Sequence, residues 1–273
     1  MSIIAKAFNK GFTILEMFFS KNWFNPFATI WVNFRSLPFS EALLLPVWVY
    51  GRPRLMTLCG KFRIDGKIES GMIRFNYVNL GSPSNMGVQS ELNNSGTIVF
   101  KGSAKIRTGN RIVVGYGGVL EFGDKVIMGD MINIGCFKSI KIGDNVRIAH
   151  RSQIFDCNYH YVANFNKKIV PPITRPVEIG SHCWICNTSS ISAGTKLPPY
   201  TIVSTNSLVN KNFSEIPEKS IIGGVPAKLI ASGFQLVNNL NKEMEISRYY
   251  STNCESIFPL PEDIDMEDWF NQM

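Results

Sequence analysis

Residues 142–154 read Ile142-Gly-Asp-Asn-Val-Arg-Ile148-Ala-His-Arg-Ser-Gln-Ile154, with isoleucine at every sixth place. The spacing continues on both sides, in Phe100, Ile106 and Ile112, then Phe122, Met128 and Ile134, then Ile179, Ile185 and Ile191, then Leu197, Val203 and Val209. All fifteen positions are apolar in a chain that is 45% apolar, so the period is not a by-product of composition. The next residue is often small, as at Gly123, Gly129, Gly135, Gly143, Ala149 and Gly180. Four places after the apolar residue there is often another small or β-branched one, as at Val146, Ser152, Ser189, Thr195 and Thr201.

Six residues make one short strand and one tight corner, and three such units close a triangular coil of about 18 residues. The apolar residue points into the prism, and the small one lets the chain turn beneath the next coil. Stacked coils form ladders, so each coil is stabilised mainly by its neighbours. A β-sandwich would instead alternate with period two. The expectation is an all-β solenoid of five to six triangular coils.

The phase breaks divide the chain. Four extra residues lie between Ile112 and Phe122, two between Ile134 and Ile142, and 19 between Ile154 and Ile179. A loop therefore leaves the prism over 155–178, and loops on a rigid scaffold are where sites tend to sit. Phe62, Ile64, Ile68 and Ile73 read as a degenerate first coil with its own loop at Gly81–Asn94. The expected organisation is a helical, aromatic and basic cap over 1–60, the solenoid over 61–213, and an exit segment, helix and acidic tail over 214–273. Within the cap, Ile4, Phe8, Leu15 and Phe19 share one face of a helix expected over 3–20. A second helix is expected over 234–250.

The 273 residues carry 28 Lys plus Arg against 21 Asp plus Glu, a net charge of +7 that favours anionic ligands or surfaces. The charge is uneven: residues 1–60 hold six basic and two acidic side chains, and 252–273 hold six acidic and no basic ones. Twelve of the chain's aromatic residues also lie in 1–60. That segment reads either as a plug for the end of the prism or as a surface resting on a membrane. The longest apolar stretch near the start, Ala42 to Tyr50, falls well short of a ~20-residue span. Lys6, Lys10 and Glu16 interrupt any signal peptide, so a cytoplasmic protein with reduced cysteines is expected, with peripheral contact at the inner membrane face left open. The basic residues are dispersed along the hexads, which argues against nucleic acid.

Four stretches resemble the hexapeptide-repeat acyltransferases. Ile142-Gly-Asp-Asn-Val146 is similar to that family's coil opening, and Asp156-Cys-Asn-Tyr-His160 to its Asp-x-Asp/Asn-x-His catalytic loop. Ile179-Gly-Ser-His-Cys-Trp-Ile185 resembles the Ile-Gly-x-x-Val-Trp-Ile segment, and Gly224-Val-Pro-Ala-Lys228 the Gly-x-Pro-Ala-Lys exit. Within the family the chain looks most like maltose and galactoside O-acetyltransferases and the O-acetyltransferases of bacterial surface polysaccharides. The similarity is good over 97–230, thinner over 26–64, and absent from the last forty residues. It implies a left-handed parallel β-helix; the handedness rests on the resemblance alone, because right-handed crossovers are the general rule. It also implies a homotrimer with the site between two prisms, acetyl-CoA as co-substrate without a metal, and a glycan or small-molecule hydroxyl as acceptor.

The resemblance assigns His160 as general base, which suits an imidazole near neutral pH, and Asp156 as the group that orients it, in the manner of a Ser-His-Asp triad. Trp184 would line the acyl and pantetheine path, and the backbone around Cys186 and Asn187 would supply an oxyanion donor. Thr205 and Asn210 would line the pantetheine arm, and Lys211 and Lys228 would meet the CoA phosphates. Two positions depart from the family: Cys186 stands where glycine usually follows Trp-Ile, and Gly129 where the family offers a polar residue to the acceptor. Other readings remain. Cys183-Trp-Ile-Cys186 is formally a C-x-x-C pair, without a second pair at ribbon spacing. His150, His160 and His182 could serve a β-helical carbonic anhydrase. The remaining alternatives are an amino-sugar N-acetyltransferase, a xenobiotic acetyltransferase and a non-enzymatic binding solenoid.

Overall fold

The computed structural model describes residues 23–78, 88–253 and 257–260. The chain winds into a three-faced parallel β-helix. The first face has nine strands, from Val47–Val49 to Ser220–Gly224 with Ala227–Ser232 added antiparallel at the end. The second has seven, from Arg54–Leu58 to Leu208–Val209, and the third six, from Lys61–Ile64 to Lys196–Leu197. Among the described residues this makes six full coils, two strands of a seventh and the first strand of an eighth, more than the five to six coils expected.

The hexad residues form the core, and all fifteen are buried. In register, Leu92, Ile112, Ile134, Ile154, Ile191 and Val209 stack along the second face. Ile64, Phe100, Phe122, Ile142, Ile179 and Leu197 stack along the third. Strands of four residues in the middle coils shorten to two in the last ones, which accounts for the extra residues between Ile112 and Phe122. Corners are tight enough that a Cβ on Gly143 would lie 2.5 Å from the Ser181 nitrogen of the next coil.

The sheets begin before residue 61, because Val47–Val49 and Arg54–Leu58 already belong to them. In front of them, helix Pro26–Ser36 closes the open end. It starts at Pro26, with the Asn25 side chain accepting from the Ala28 N–H at 3.0 Å. Val32 seals a small apolar cavity of about 20 Å³ lined by Val49, Phe62, Phe75 and Phe100. The helix also pairs the edge strand: Val47 N–H donates to Asn33 Oδ1, Asn33 Nδ2 to Val47 O, and Val49 N–H to Thr29 Oγ1. Side chains thus satisfy an edge that would otherwise be open.

The expected helix over 3–20 and most of the acidic tail lie outside the described residues. Of the loop expected at Gly81–Asn94, Glu91–Asn94 is a strand of the second face. The C-terminal helix spans Leu240–Thr252, starting later than expected because Asn239 caps it through the Asn241 and Lys242 N–H groups. Among the described residues no helix is long and apolar enough to cross a membrane.

Candidate active site

The insertion leaves the corner between the second and third faces after strand Gln153–Phe155 and returns at Val177–Ile179. Its limbs meet at antiparallel bridges, Cys157 with Thr174 and Asn164 with Ile169, so it is a ribbon rather than an open loop. His160 sits exposed on the outgoing limb, its N–H donating to Asn158 O at 2.7 Å.

Asp156, at the base of the ribbon, is fully buried. Its carboxylate accepts the backbone N–H groups of Phe137, Lys138 and Ser139 at 2.8, 2.7 and 2.7 Å, the whole corner of the coil before it. The hydrogen bonds of the Asp156 carboxylate go to that corner, and none joins it to the His160 ring among the described residues. Asp156 anchors the ribbon instead, and its own carbonyl accepts from Arg175 N–H on the returning limb.

A groove of about 420 Å³ lies on the second face beside the ribbon, lined by Gln153, Phe155, Asn158, Tyr159, Ser190 and Ser192 among others. Asn210 and Lys211 are exposed at the same corner, two coils on from the ribbon's root. Lys211 Nζ lies 5.0 Å from the Phe213 ring centroid, a cation–π contact that also fixes the side chain.

Trp184, Cys186, Asn187 and Thr205 lie elsewhere, on the first face and its corner with the second. Trp184 points outward from strand Trp184–Ile185 into a second groove of about 330 Å³, shared with Arg107, Gly129, Asp130, Arg147 and His150. Lys228 is exposed on the antiparallel strand that ends this face. The Cys186 N–H donates to Val203 O at 2.9 Å and is therefore committed to the ladder, which removes it as an oxyanion donor. The Asn187 N–H stands outside the ladder, while its carbonyl accepts from Asn206 N–H at 3.1 Å. At Gly129 a Cβ would come within 3.0 Å of the His150 nitrogen, so close approach of two coils explains that departure.

The other polar candidates have structural roles. Burial pushes the Cys183 thiol up to about 12 and the Cys186 thiol to about 11, so both are held neutral. His182 stacks on Tyr200 with ring centroids 4.6 Å apart. The three histidines occupy three different corners of the prism, and the described residues hold no group of three or more His, Cys, Asp or Glu placed to bind a metal ion.

No family model matches the chain. It does match the "Putative lipopolysaccharide biosynthesis O-acetyl transferase WbbJ" of Escherichia coli (strain K12), at 30% identity over 147 residues, 51% of this chain and 74% of that protein. The chain belongs to the hexapeptide-repeat acyltransferases. Its prism is the left-handed parallel β-helix of that family. Among solved structures, this acyltransferase is similar to the polysialic-acid-specific acetyltransferase NeuO, at 16% identity over 76% of this chain and 98% of that one, with a TM-score of 0.40. It is also similar to the polysialic acid O-acetyltransferase OatWY, at 16% over 69% and 99%, TM-score 0.37. A maltose O-acetyltransferase from Clostridium difficile 630 shares 20% over 54% and 69%, TM-score 0.33.

Proposed function

We propose that this acyltransferase moves an acetyl group from acetyl-CoA to a saccharide hydroxyl during synthesis of a bacterial surface polysaccharide. The observation that carries the reading is His160, exposed on a ribbon whose root Asp156 fixes to the prism beside an open groove. A sugar hydroxyl is a poor nucleophile until its proton is removed, and a neutral imidazole can remove it near pH 7. The acceptor oxygen attacks the thioester carbon as His160 takes the proton. The carbonyl oxygen becomes an oxyanion, for which the Asn187 N–H is the donor not engaged by the ladder. Collapse breaks the carbon–sulfur bond, the thiolate of CoA leaves, and the imidazolium returns the proton to it.

His160, Asn210 and Lys211 border one corner, and Trp184, Asn187, Thr205 and Lys228 the first face and another corner. This separation favours a homotrimer in which the ribbon of one chain meets the Trp184 face of its neighbour. In that arrangement Lys211 and Lys228 approach the CoA phosphates from the end of the prism.

Incubation with acetyl-CoA and a panel of surface glycans tests the reading, with thiol release and product mass followed together. The expected result is release coupled to an acetyl ester on a glycan hydroxyl. A product acetylated only on an amine, or release that no glycan accelerates, would contradict it.

A further inference from the structure

Helix Pro26–Ser36 has a second apolar face. Phe27, Ile30, Trp31 and Phe34, spaced as one stripe along the helix, all point away from the prism. Phe27 is 81% exposed and Trp31 58%. The Phe34 ring meets Phe39 edge-on at 5.7 Å, and Phe39, Leu43 and Leu44 carry the exposed surface onward. Scattered exposed apolar residues are ordinary, but a continuous set of this size marks a contact surface.

The charges around it say what the contact is. Over residues 23–60 the exposed charged side chains are Arg35, Arg52 and Arg54, and the one carboxylate, Glu41, is partly buried, while the exposed carboxylates of the rest of the first coil, Asp65 and Glu69, are each paired with a cation, Arg63 and Lys67. Lys6, Lys10 and Lys21 precede the helix in the sequence, with Glu16 alone against them. A second copy docked end to end would bring like charges together. An anionic lipid surface complements both the aromatic residues and the cations.

We propose that the capped end of the prism rests on an anionic membrane, with Phe27, Trp31 and Phe34 entering the headgroup region and the arginines over it. The ribbon bearing His160 leaves the fifth coil, which sets it about 20 Å along the prism from that surface at the usual strand spacing. Membrane docking is independent of the acceptor proposed above.

Flotation of the full chain with phosphatidylglycerol–phosphatidylethanolamine vesicles, and with phosphatidylcholine vesicles, tests the proposal. The wild type is expected to float with the anionic vesicles and roughly tenfold less with the neutral ones or in high salt. The triple variant Phe27→Ser, Trp31→Ser, Phe34→Ser is expected to lose roughly tenfold or more of that binding. Its unfolding midpoint and its acetyl transfer to a soluble acceptor should be unchanged, because these side chains are exposed. A wild type that stays unbound with both vesicles, or a variant that floats like the wild type, would overturn it. So would a wild type that self-associates through this face and binds no vesicle.

Discussion

Asp156 is a buried carboxylate whose cost of burial is offset by three backbone donors at one corner. Replacing it with alanine leaves those N–H groups unpaired in a partly buried setting, at a cost on the order of 3 kcal/mol or more. Asp156→Ala should therefore lower the thermal unfolding midpoint by several degrees, and Asp156→Asn, which keeps one accepting oxygen, by less. If the two variants unfold like the wild type, the anchoring role is wrong. The thiols make a prediction of opposite character. Burial raises Cys136 and Cys183 from 9.0 to about 12, and Cys186 to about 11. The unfolded chain loses these protons from about pH 9 upward while the folded chain keeps them, so the stability they confer is full below pH 9 and falls as pH rises from there toward 12. A scan of unfolding midpoint against pH should bend downward above pH 9. At pH 8, alkylation of the native protein should mark exposed Cys59 and spare Cys183, a difference that peptide mass mapping reads directly.

At the scale of the element, the ladder rung is the unit. Phe100 and Phe122 stack with centroids 5.3 Å apart and planes 11° from parallel, and Phe62 meets Phe100 edge-on at 5.8 Å. Phe122→Ala should destabilise by about 3–5 kcal/mol. Each coil touches only its neighbours, so hydrogen exchange should rise around the third-face strands Thr97–Phe100, Val119–Phe122 and Ser139–Ile142 more than around Lys196–Leu197. This ladder was legible from the hexads because an inward position repeats at fixed spacing wherever strand and corner keep one length. The first coil was less legible. Val47, Val49 and Leu58 lie among aromatic residues and prolines, and Thr29 and Asn33, which complete the edge strand, carry no period at all. The Asp156 anchor was hidden for a related reason: its partners are backbone groups nearly twenty residues earlier, which no side-chain pattern announces.

For the whole molecule, the motifs named candidate residues one at a time and left their arrangement unstated. The motifs named His160 and Trp184 as candidates, whereas only the coil register shows that one leaves the corner between the second and third faces and the other lies on the first face. A chain of 30.7 kDa that works as proposed should sediment at three times that mass, and a monomer at working concentration would remove the shared site. The central claim is that His160 is the base in direct acetyl transfer. It is tested most directly by measuring kcat with acetyl-CoA and an accepted glycan for the wild type and His160→Ala, alongside CoA binding by calorimetry. The account predicts a fall in kcat of roughly 10²–10⁴ with CoA affinity nearly unchanged, and undiminished turnover by the variant would contradict it.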